Sequence, residues 1–361
     1  MKESEKKLES LREQIDQLDG QLLELMNQRA RLAQRIAEVK GDDGAEVYRP
    51  DREAEVLRRL TDGNPGPLSN RDVARLFQEI VSACRALQTP TTVAFLGPEG
   101  TFTEAAAFKH FGHSISVSPM DSIDAVFREV ESGAANFGVV PVENSTEGVV
   151  NHTLDMFMQS RLSICGEVQL RIHHALMAVG DGLDDIRRVY SHQQSLAQCR
   201  KWLDANLAHA EREAVSSSAE AARLAAENPG TAAIAAQVAA ELYELKVIAR
   251  NVEDEPDNTT RFLVVGKLSV PRTGSDKTSV MFSAKNRPGA LFELLESFKK
   301  RDVNMTRIES RPSPSGLWDY AFFVDIDGHE SDDVIKAALA DIDTHAAFFK
   351  VLGSYPRCAT G

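Results

Sequence analysis

Residues 136–153 read NFGVVPVENSTEGVVNHT. The apolar run 137–142 is short, rich in Val and bounded by polar residues, which is how a buried strand reads. It ends on Glu143-Asn144-Ser145-Thr146, with a Gly148 turn just beyond. A strand in an α/β pattern that carries such a cluster at its carboxyl end is usually aiming it at a ligand. The alternative is a capped loop, with Asn144, Ser145 or Thr146 as the N-cap of a following helix. The neighbouring segments decide between the two.

From residue 91 onward, strands and helices alternate. A short strand at 92–96 ends in Gly97-Pro98-Glu99-Gly100-Thr101-Phe102-Thr103, ahead of the helical EAAAFKHF. Helices are expected near 123–130 and 150–158, and strands at 172–179, 189–190 and 232–235. Ser191-His192-Gln193-Gln194 leads into a helix carrying Gln198, Cys199 and Trp202, and another helix covers 237–243. Asn258-Thr259-Thr260-Arg261-Phe262 enters a last strand that runs to Val265. The device of strand, polar turn and helix N-terminus occurs three times. Helix N-termini favour anions through free N–H groups and the dipole, and turns at strand carboxyl edges converge on one crevice. The expectation is two α/β lobes with a cleft between them, like a periplasmic-binding-protein core. The tandem His173-His174 falls within the 172–179 strand pattern without metal-ligand spacing, which favours a structural role and no metal site.

The 361 residues are too many for one core, so two or three domains are expected. Nothing apolar follows the charged start MKESEKKLES, so no signal peptide is expected, and no run approaches the length of a membrane span. Cys84, Cys165, Cys199 and Cys358 are scattered without CxxC spacing, which suits reduced cytoplasmic thiols. A net charge of −13 argues against nucleic acid as a partner. Residues 1–88 hold 15 Lys and Arg against 17 Asp and Glu, a net of −2, which leaves −11 for the rest. An anionic substrate would therefore need a local cationic cluster, and the N-terminal segment is the place to look.

That segment carries Leu8, Leu11, Ile15, Leu18, Leu22, Leu25, Leu32, Ile36 and Val39 at steps of three and four. This heptad seam predicts a helix over 8–40, about 50 Å long at roughly 1.5 Å per residue. A ninety-residue domain has a radius of gyration of only about 12 Å. Such a helix outgrows its own domain, and an intertwined helical dimer is expected. Arg29 occupies the missing seam position, where a buried guanidinium needs a partner. Lys40 follows eleven residues later, within about 20° on the helical wheel. The pair reads either as an interhelical register device or as a buried anion site, and the second cation favours the anion site. Arg12 lies about 100° from Arg29 and cannot easily serve the same pocket from the same helix, but could do so from a partner chain. Two further helices follow, one from Arg52-Glu53 to about Leu60 and one capped by Ser69 or Asn70 that carries Cys84, Leu87 and Gln88.

The pattern of Arg12, Arg29, Lys40, Arg52-Glu53 and Gln88 on three helices resembles the all-helical class of chorismate mutases. The resemblance implies that Arg12 of the other protomer and Arg29 clamp the two carboxylates of chorismate. By the same resemblance Arg52 supports that charge environment, Lys40 and Gln88 donate to the ether oxygen, and Glu53 accepts from the ring hydroxyl. Catalysis would then be positioning plus electrostatic stabilisation. Arg49 falls where an acidic residue can occur, and Cys84 where a Ser can.

The motifs GPEGTF, PVENSTEG, YSH…AQC and TTRF together resemble prephenate dehydratase across 92–268. The resemblance makes Thr260 the essential residue. It places Asn144, Ser145, Thr146 and Gln198 at the site with Ser191, Thr101 and Thr103 nearby, and Arg261 and Phe262 completing the signature. Loss of carboxylate and hydroxyl from prephenate suits a cleft of Ser, Thr, Asn and Gln, because a salt bridge would hold the departing carboxylate in its charged ground state.

Residues 277–355 read as strand, helix, two strands, helix, strand, the order of a ferredoxin-like α+β domain. NRPGALFELL and NMTRIESRP resemble the ACT domain attached to prephenate dehydratases. The resemblance implies L-phenylalanine as a feedback inhibitor, bound at a dimer interface by Gly289, Ala290, Leu291, Asn304, Glu309, Ser310, Arg311 and Pro312. A purely dimerising domain is the alternative.

The chain thus resembles the bifunctional chorismate mutase–prephenate dehydratases, with a mutase domain over 1–90, a dehydratase domain over 91–269 and an ACT domain over 277–355. The expectation is a cytoplasmic homodimer or higher homo-oligomer that acts as isomerase and lyase in phenylalanine biosynthesis. Chorismate and prephenate are its ligands, with no cofactor, metal, nucleic acid or membrane. A fusion to a dehydrogenase would need a nicotinamide site, and no G-x-G-x-x-G occurs. A non-enzymatic amino-acid sensor is opposed by Arg29 and Lys40 in the seam.

Overall fold

The structure is a computed structural model that describes residues 2–40, 48–285, 287–312 and 320–358, with only the backbone for Lys2, Glu3 and Lys40. The 41–49 loop up to Val47, Asn286, and the turn 313–316 with Trp318 lie outside the described residues. The chain divides into two compact units. One holds residues 1–49, 56–91 and 111–115, and the other 50–55, 92–110 and 116–361.

The first unit is helical. Helix α1 (Lys2–Lys40) begins earlier than its seam and is one uninterrupted rod of 39 residues. In the single chain the seam is bare, with Leu8, Leu11, Ile15, Leu18, Leu22 and Leu25 each about half exposed. Helix α2 (Pro50–Asp62) opens with Pro at its first position, where no N–H is needed. Helix α3 (Asn70–Ala86) is capped by Ser69, whose hydroxyl accepts from Asp72 N. Gln88 therefore lies just past the helix end, its N–H bonded to Arg85 O.

The segment 111–115 belongs to this helical unit. Arg85 is its anchor, buried between the rings of Tyr48 and Phe111 and donating to Phe111 O at 2.6 Å. Gly112 sits at φ +75, where an added Cβ would lie 2.4 Å from Ser82 Cβ. Its neighbour His113 pairs with Glu79 at 2.8 Å. Arg85 as a ring-stacked cation was not foreseen in the sequence.

The second unit contains three sheets. The first orders its strands β2-β1-β3-β11-β5, with β4 on β3. These are β1 (Thr92–Leu96), β2 (Ser116–Met120), β3 (Phe137–Asn144), β4 (Gly148–Val149), β5 (Ser163–Arg171) and β11 (Thr259–Gly266). Strand β1 runs parallel to β2 and β3, whereas β11 is antiparallel to both β3 and β5. Helices α4 (Phe102–Phe111), α5 (Ile123–Ser132) and α6 (Asn151–Gln159) accompany this sheet.

The second sheet orders β10-β6-β9-β7-β8, from β6 (Ala175–Ala178), β7 (Arg188–His192), β8 (Glu211–Val215), β9 (Thr231–Ala235) and β10 (Lys246–Arg250). Its core is unusually small-residued, with Ala221, Ala222, Ala225, Ala233, Ala235 and Ala239 all buried. Helix α7 (Gln193–Gln198) is separated from α8 (Arg200–Asn206) at Cys199, and α9 (Ser218–Glu227) and α10 (Gln237–Leu242) complete the lobe.

The expected strand over 172–179 is shorter than read. His173 and His174 lie instead in the crossover between β5 and β6. There Glu253 of the return crossover accepts from His174 N and pairs with His173 Nδ1, both at 2.8 Å.

The third sheet is fully antiparallel, in the order β13-β14-β12-β15. It comprises β12 (Asp276–Ser283), β13 (Met305–Pro312), β14 (Tyr320–Asp327) and β15 (Phe348–Pro356), with helices α11 (Ala290–Lys299) and α12 (Asp333–His345). The order and connectivity are ferredoxin-like, as read from the sequence. This sheet stacks on the first one. Val142, Leu263 and Ile164 from one share a core with Met281, Phe323 and Leu352 from the other.

Candidate active site

Strand β3 continues through Glu143 and Asn144, then reverses at Ser145–Glu147 into β4. It does not cap a helix, because α6 begins later and its N-cap is Val150. Asn144 makes the reversal. Its Oδ1 accepts from Thr146 N at 2.9 Å and Glu147 N at 3.0 Å, an Asx-type closure of the turn. Of the three polar turns, only those after β1 and β7 lead into helices.

The same Asn144 points its amide nitrogen across to β11. Nδ2 donates to Thr260 Oγ1 and to Asn258 Oδ1, each at 2.8 Å. Register places Thr260 directly opposite Asn144. A hydroxyl carries one proton and two lone pairs. With Asn144 donating to it, Thr260 keeps its own O–H to offer to a ligand. Thr260 is only 8% exposed. Ser145 locks the strand entry, accepting from Thr259 N at 3.0 Å while its own N–H bonds Thr259 O at 2.9 Å.

Gln198 reaches the cluster from the second lobe. Its Oε1 accepts from Asn258 Nδ2 at 3.3 Å and faces His174 Nε2 at 2.9 Å. Since that oxygen only accepts, His174 carries its proton on Nε2. Burial pushes the His174 imidazole below its ordinary value, against an opposing pull from Gln198, so the ring is neutral. Phe102 packs edge-on against it.

Two residues of this cluster were not foreseen. Asn258 links Asn144 to Gln198. Glu147 accepts from Gln194 Nε2 at 2.5 Å and Gln198 Nε2 at 3.0 Å, joining the hairpin of one lobe to α7 of the other. The expected cleft of Ser, Thr, Asn and Gln thus also contains a carboxylate. Asn258 stood in the sequence two residues before Thr260, but nothing local marked its amide as part of the site.

Other expected residues sit further from the cluster. Ser191 is fully buried, and its hydroxyl donates to Ile234 O at 2.6 Å, holding β7 to β9. Thr101 and Thr103 flank the start of α4, where Thr101 Oγ1 reaches Leu96 O at 3.4 Å and Thr103 is buried. In the same turn Glu104 accepts from Gly100 N at 2.6 Å, and burial raises its carboxyl above the ordinary range.

Arg261 is turned away from Thr260, and Phe262 is buried in the core at 2% exposure. Arg261 donates from Nε to Glu167 at 2.8 Å, from Nη1 to Asp325 at 2.5 Å and from Nη2 to the Tyr355 hydroxyl at 3.0 Å. These partners place the Arg261 side chain between two sheets, on the face of β11 opposite Thr260, because successive strand residues face opposite ways.

In the helical segment, Arg29 is half-buried, Arg12 is exposed and Cys84 is buried. The Lys40 side chain lies outside the described residues. Arg52 pairs with Glu55 on its own helix, while Arg49 precedes α2. Arg52 and Glu53 stand on the part of α2 that groups with the second unit, whereas Arg29, Cys84 and Gln88 belong to the first.

In the C-terminal sheet, Gly289 adopts φ +78 ahead of α11 and Asn304 donates to Asp327 at 2.8 Å. Ala290 is buried and Leu291 partly so, while Glu309, Ser310, Arg311 and Pro312 lie along the edge strand β13. Arg311 is engaged bidentately by Asp155 of α6, at 2.7 and 2.8 Å.

Among the described residues no group of His, Cys, Asp and Glu could hold a metal, and no helix is long and apolar enough to cross a membrane.

A helical segment, a two-lobed α/β core with a hydroxyl–amide cluster between its lobes, and a ferredoxin-like domain define a class of multi-domain protein. Known proteins narrow the class. Residues 11–89 match the family model of chorismate mutase type II, residues 93–269 that of prephenate dehydratase, and residues 278–344 that of the ACT domain. The chain is 56% identical over 357 residues to a bifunctional chorismate mutase/prephenate dehydratase of Pseudomonas aeruginosa, covering 97% of this chain and 98% of that one. It is 44% identical over 354 residues to its counterpart in Aquifex aeolicus, with the same coverage of 97% and 98%. A crystal structure of prephenate dehydratase from Arthrobacter aurescens in complex with L-Phe matches at TM-score 0.69 and 39% identity, covering 74% of this chain and 90% of that chain. The chain belongs to the bifunctional chorismate mutase/prephenate dehydratase family.

Proposed function

We propose that the chain rearranges chorismate to prephenate in an N-terminal domain over 1–90. Prephenate is then decarboxylated and dehydrated to phenylpyruvate in the domain over 91–269. L-phenylalanine, bound by the domain over 277–355, inhibits this flux. The observation that carries the reading is the Asn144–Thr260 pair. Asn144 supplies a hydrogen bond to Thr260 Oγ1 at 2.8 Å, which leaves the hydroxyl proton available to a ligand. A threonine hydroxyl is a weak acid, so Thr260 orients or relays a proton to the departing hydroxyl rather than supplying one freely. Asn258, Gln198 and Ser145 hold this pair in place, and Thr101 and Thr103 lie at the N-terminus of α4, where free N–H groups favour a carboxylate.

In the mutase reaction Arg29, Lys40 and Gln88 are the catalytic donors, with Arg12, Arg49, Arg52, Glu53 and Cys84 completing the substrate pocket. The bare seam of α1 supports assembly with a second copy, since a row of half-exposed leucines of this length is covered when two such helices pair. That dimer would bring Arg12 to the partner's pocket. The chain acts in the cytoplasm without a cofactor. The Arthrobacter relative holds L-Phe, and Gly289–Leu291, Asn304 and residues 309–312 would form the corresponding site here.

Chorismate supplied to purified protein at neutral pH tests the reading. Phenylpyruvate is the expected product. Accumulated prephenate would leave only the mutase, and unchanged chorismate would favour a non-enzymatic sensor.

A further inference from the structure

The sheet that carries Thr260 and the C-terminal sheet face each other through a row of six charges. Three come from neighbouring strands of the first sheet: Glu143 on β3, Arg261 on β11 and Glu167 on β5. Three come from neighbouring strands of the other: Arg307 on β13, Asp325 on β14 and Lys277 on β12. They match in opposite pairs. Glu143 lies 2.9 Å from Arg307, Arg261 lies 2.5 Å from Asp325, and Glu167 lies 2.8 Å from Lys277. Arg261 also bonds Glu167 at 2.8 Å, and Arg307 helps hold the Asp325 carboxylate ionised, so the signs alternate along the whole row.

Two of these residues are chain neighbours of the dehydratase pair. Glu143 precedes Asn144, Arg261 follows Thr260, and the two pairs are in register across β3 and β11. Successive strand residues point to opposite faces. Anchoring Glu143 and Arg261 on one face therefore sets the roll of each strand, and with it the direction in which Asn144 and Thr260 project.

The backbone ladder does not fix that roll alone. The register between β3 and β11 shifts between Arg261 and Phe262, immediately beyond the pair, and Pro141 offers no N–H there. A bulge locally disrupts the ladder and bends its strand, and a proline removes a ladder bond.

We infer that Arg307 and Asp325 of the C-terminal sheet are positioning residues for the dehydratase reaction, acting through Glu143 and Arg261 on Asn144 and Thr260. The proposal rests on the dehydratase reading of that pair. It assigns the C-terminal sheet a share in catalysis, whatever ligand that domain binds.

The test replaces one whole rung, Glu143→Leu with Arg307→Met, in the full chain. Removing both charges leaves no orphan, and such swaps are often neutral for stability. The expected variant melts within a few degrees of wild type and keeps full mutase turnover. Its dehydratase kcat falls about 10- to 100-fold, as for a misplaced catalytic group, while KM stays within about twofold because the loss is in the transition state. Added to Thr260→Ser, the rung replacement costs less than its separate effect, because both disturb one orientation. An unchanged kcat in the folded variant, or full multiplication of the two losses, overturns the inference. Should the double variant not fold, Arg307→Lys carries the test, with a severalfold kcat loss at constant KM expected and an unchanged kcat overturning it. Wild-type protein that forms no phenylpyruvate removes the dehydratase reading itself, whereas wild-type turnover with unaltered variants removes only the positioning role.

Discussion

Arg261 Nη1 lies 2.5 Å from Asp325 Oδ2, joining the strand of the candidate dehydratase pair to the sheet of the C-terminal domain. Burial opposes the Asp325 charge, but Arg261 and the Ser279 hydroxyl outweigh it and hold the carboxyl below the usual range. A carboxyl depressed in the folded state contributes stability above its unfolded pKa of about 3.9, and that contribution is lost as pH falls through the folded value. Asp325→Asn should therefore cost about 3–5 kcal/mol near neutrality, since it leaves Arg261 with one fewer buried counter-charge. The deficit should shrink in strong acid. Urea unfolding of both proteins from pH 7 down to pH 3 checks this (the lower limit being roughly where carboxylates protonate).

The two sheets approach closely at Gly353. An added Cβ there would lie 2.2 Å from Ile164 O, a backbone atom that cannot step aside. Gly353→Ala should lower stability by about 1–3 kcal/mol or more, the usual range for overpacking, with the mutase reaction spared. Thermal melting together with separate mutase and dehydratase assays reads both effects. A variant as stable as wild type would show that β15 does not pack against β5 as described.

Asn144 spends its whole amide on the site, closing the hairpin turn with Oδ1 and holding Thr260 and Asn258 with Nδ2. Asn144→Ala should reduce dehydratase kcat by about 100-fold or more, in the range of a lost orienting group. It should also cost about 1–3 kcal/mol for the partners left unsatisfied. Asn144→Asp keeps the turn but not the donor, so it should restore much of the stability and little of the turnover. Equal recovery of both would argue that Asn144 serves the fold alone.

His174 is buried and its imidazole is pushed below its ordinary value. A depressed histidine stays neutral in the folded protein while the unfolded chain takes up a proton below about pH 6.5. Stability should therefore decline as pH falls from about 6.5 toward the folded value, and His174→Gln should flatten that slope. Denaturant midpoints measured across the interval decide it, and an identical slope in the variant would contradict the neutral ring.

Much of this architecture was legible in the chain. The heptad seam of α1 and the Ser69 cap could be read directly, as could the 137–142 strand and the order of the last domain. Strands β2, β4, β5, β8 and β10 and helix α9 were not read. Strand β8 (Glu211–Val215) lies at a sheet edge and is mostly exposed, so its apolar pattern is weak. Strand β5 carries Glu167 in the middle of its buried stretch, a charge that reads as surface until Arg261 and Lys277 are seen around it.

The site divided in the same way. Asn144 and Thr260 announced themselves through their motifs. Glu147 and Asn258 did not, because their meaning lies in partners 51 and 114 residues away. Ser191 and Arg261 belonged to recognisable motifs, yet one secures a strand and the other a domain interface. A motif marks the neighbourhood of a site without saying which face each residue takes.

The central claim is that one chain holds two separate reactions, with Thr260 needed only for the second. Thr260→Ala supplied with chorismate at neutral pH tests it most directly, with chorismate, prephenate and phenylpyruvate all quantified over time. The account predicts that chorismate disappears at the wild-type rate and accumulates as prephenate, with phenylpyruvate formation slowed by about 100-fold or more. Phenylpyruvate formed at the wild-type rate, or chorismate left unconverted by a folded variant, would contradict it.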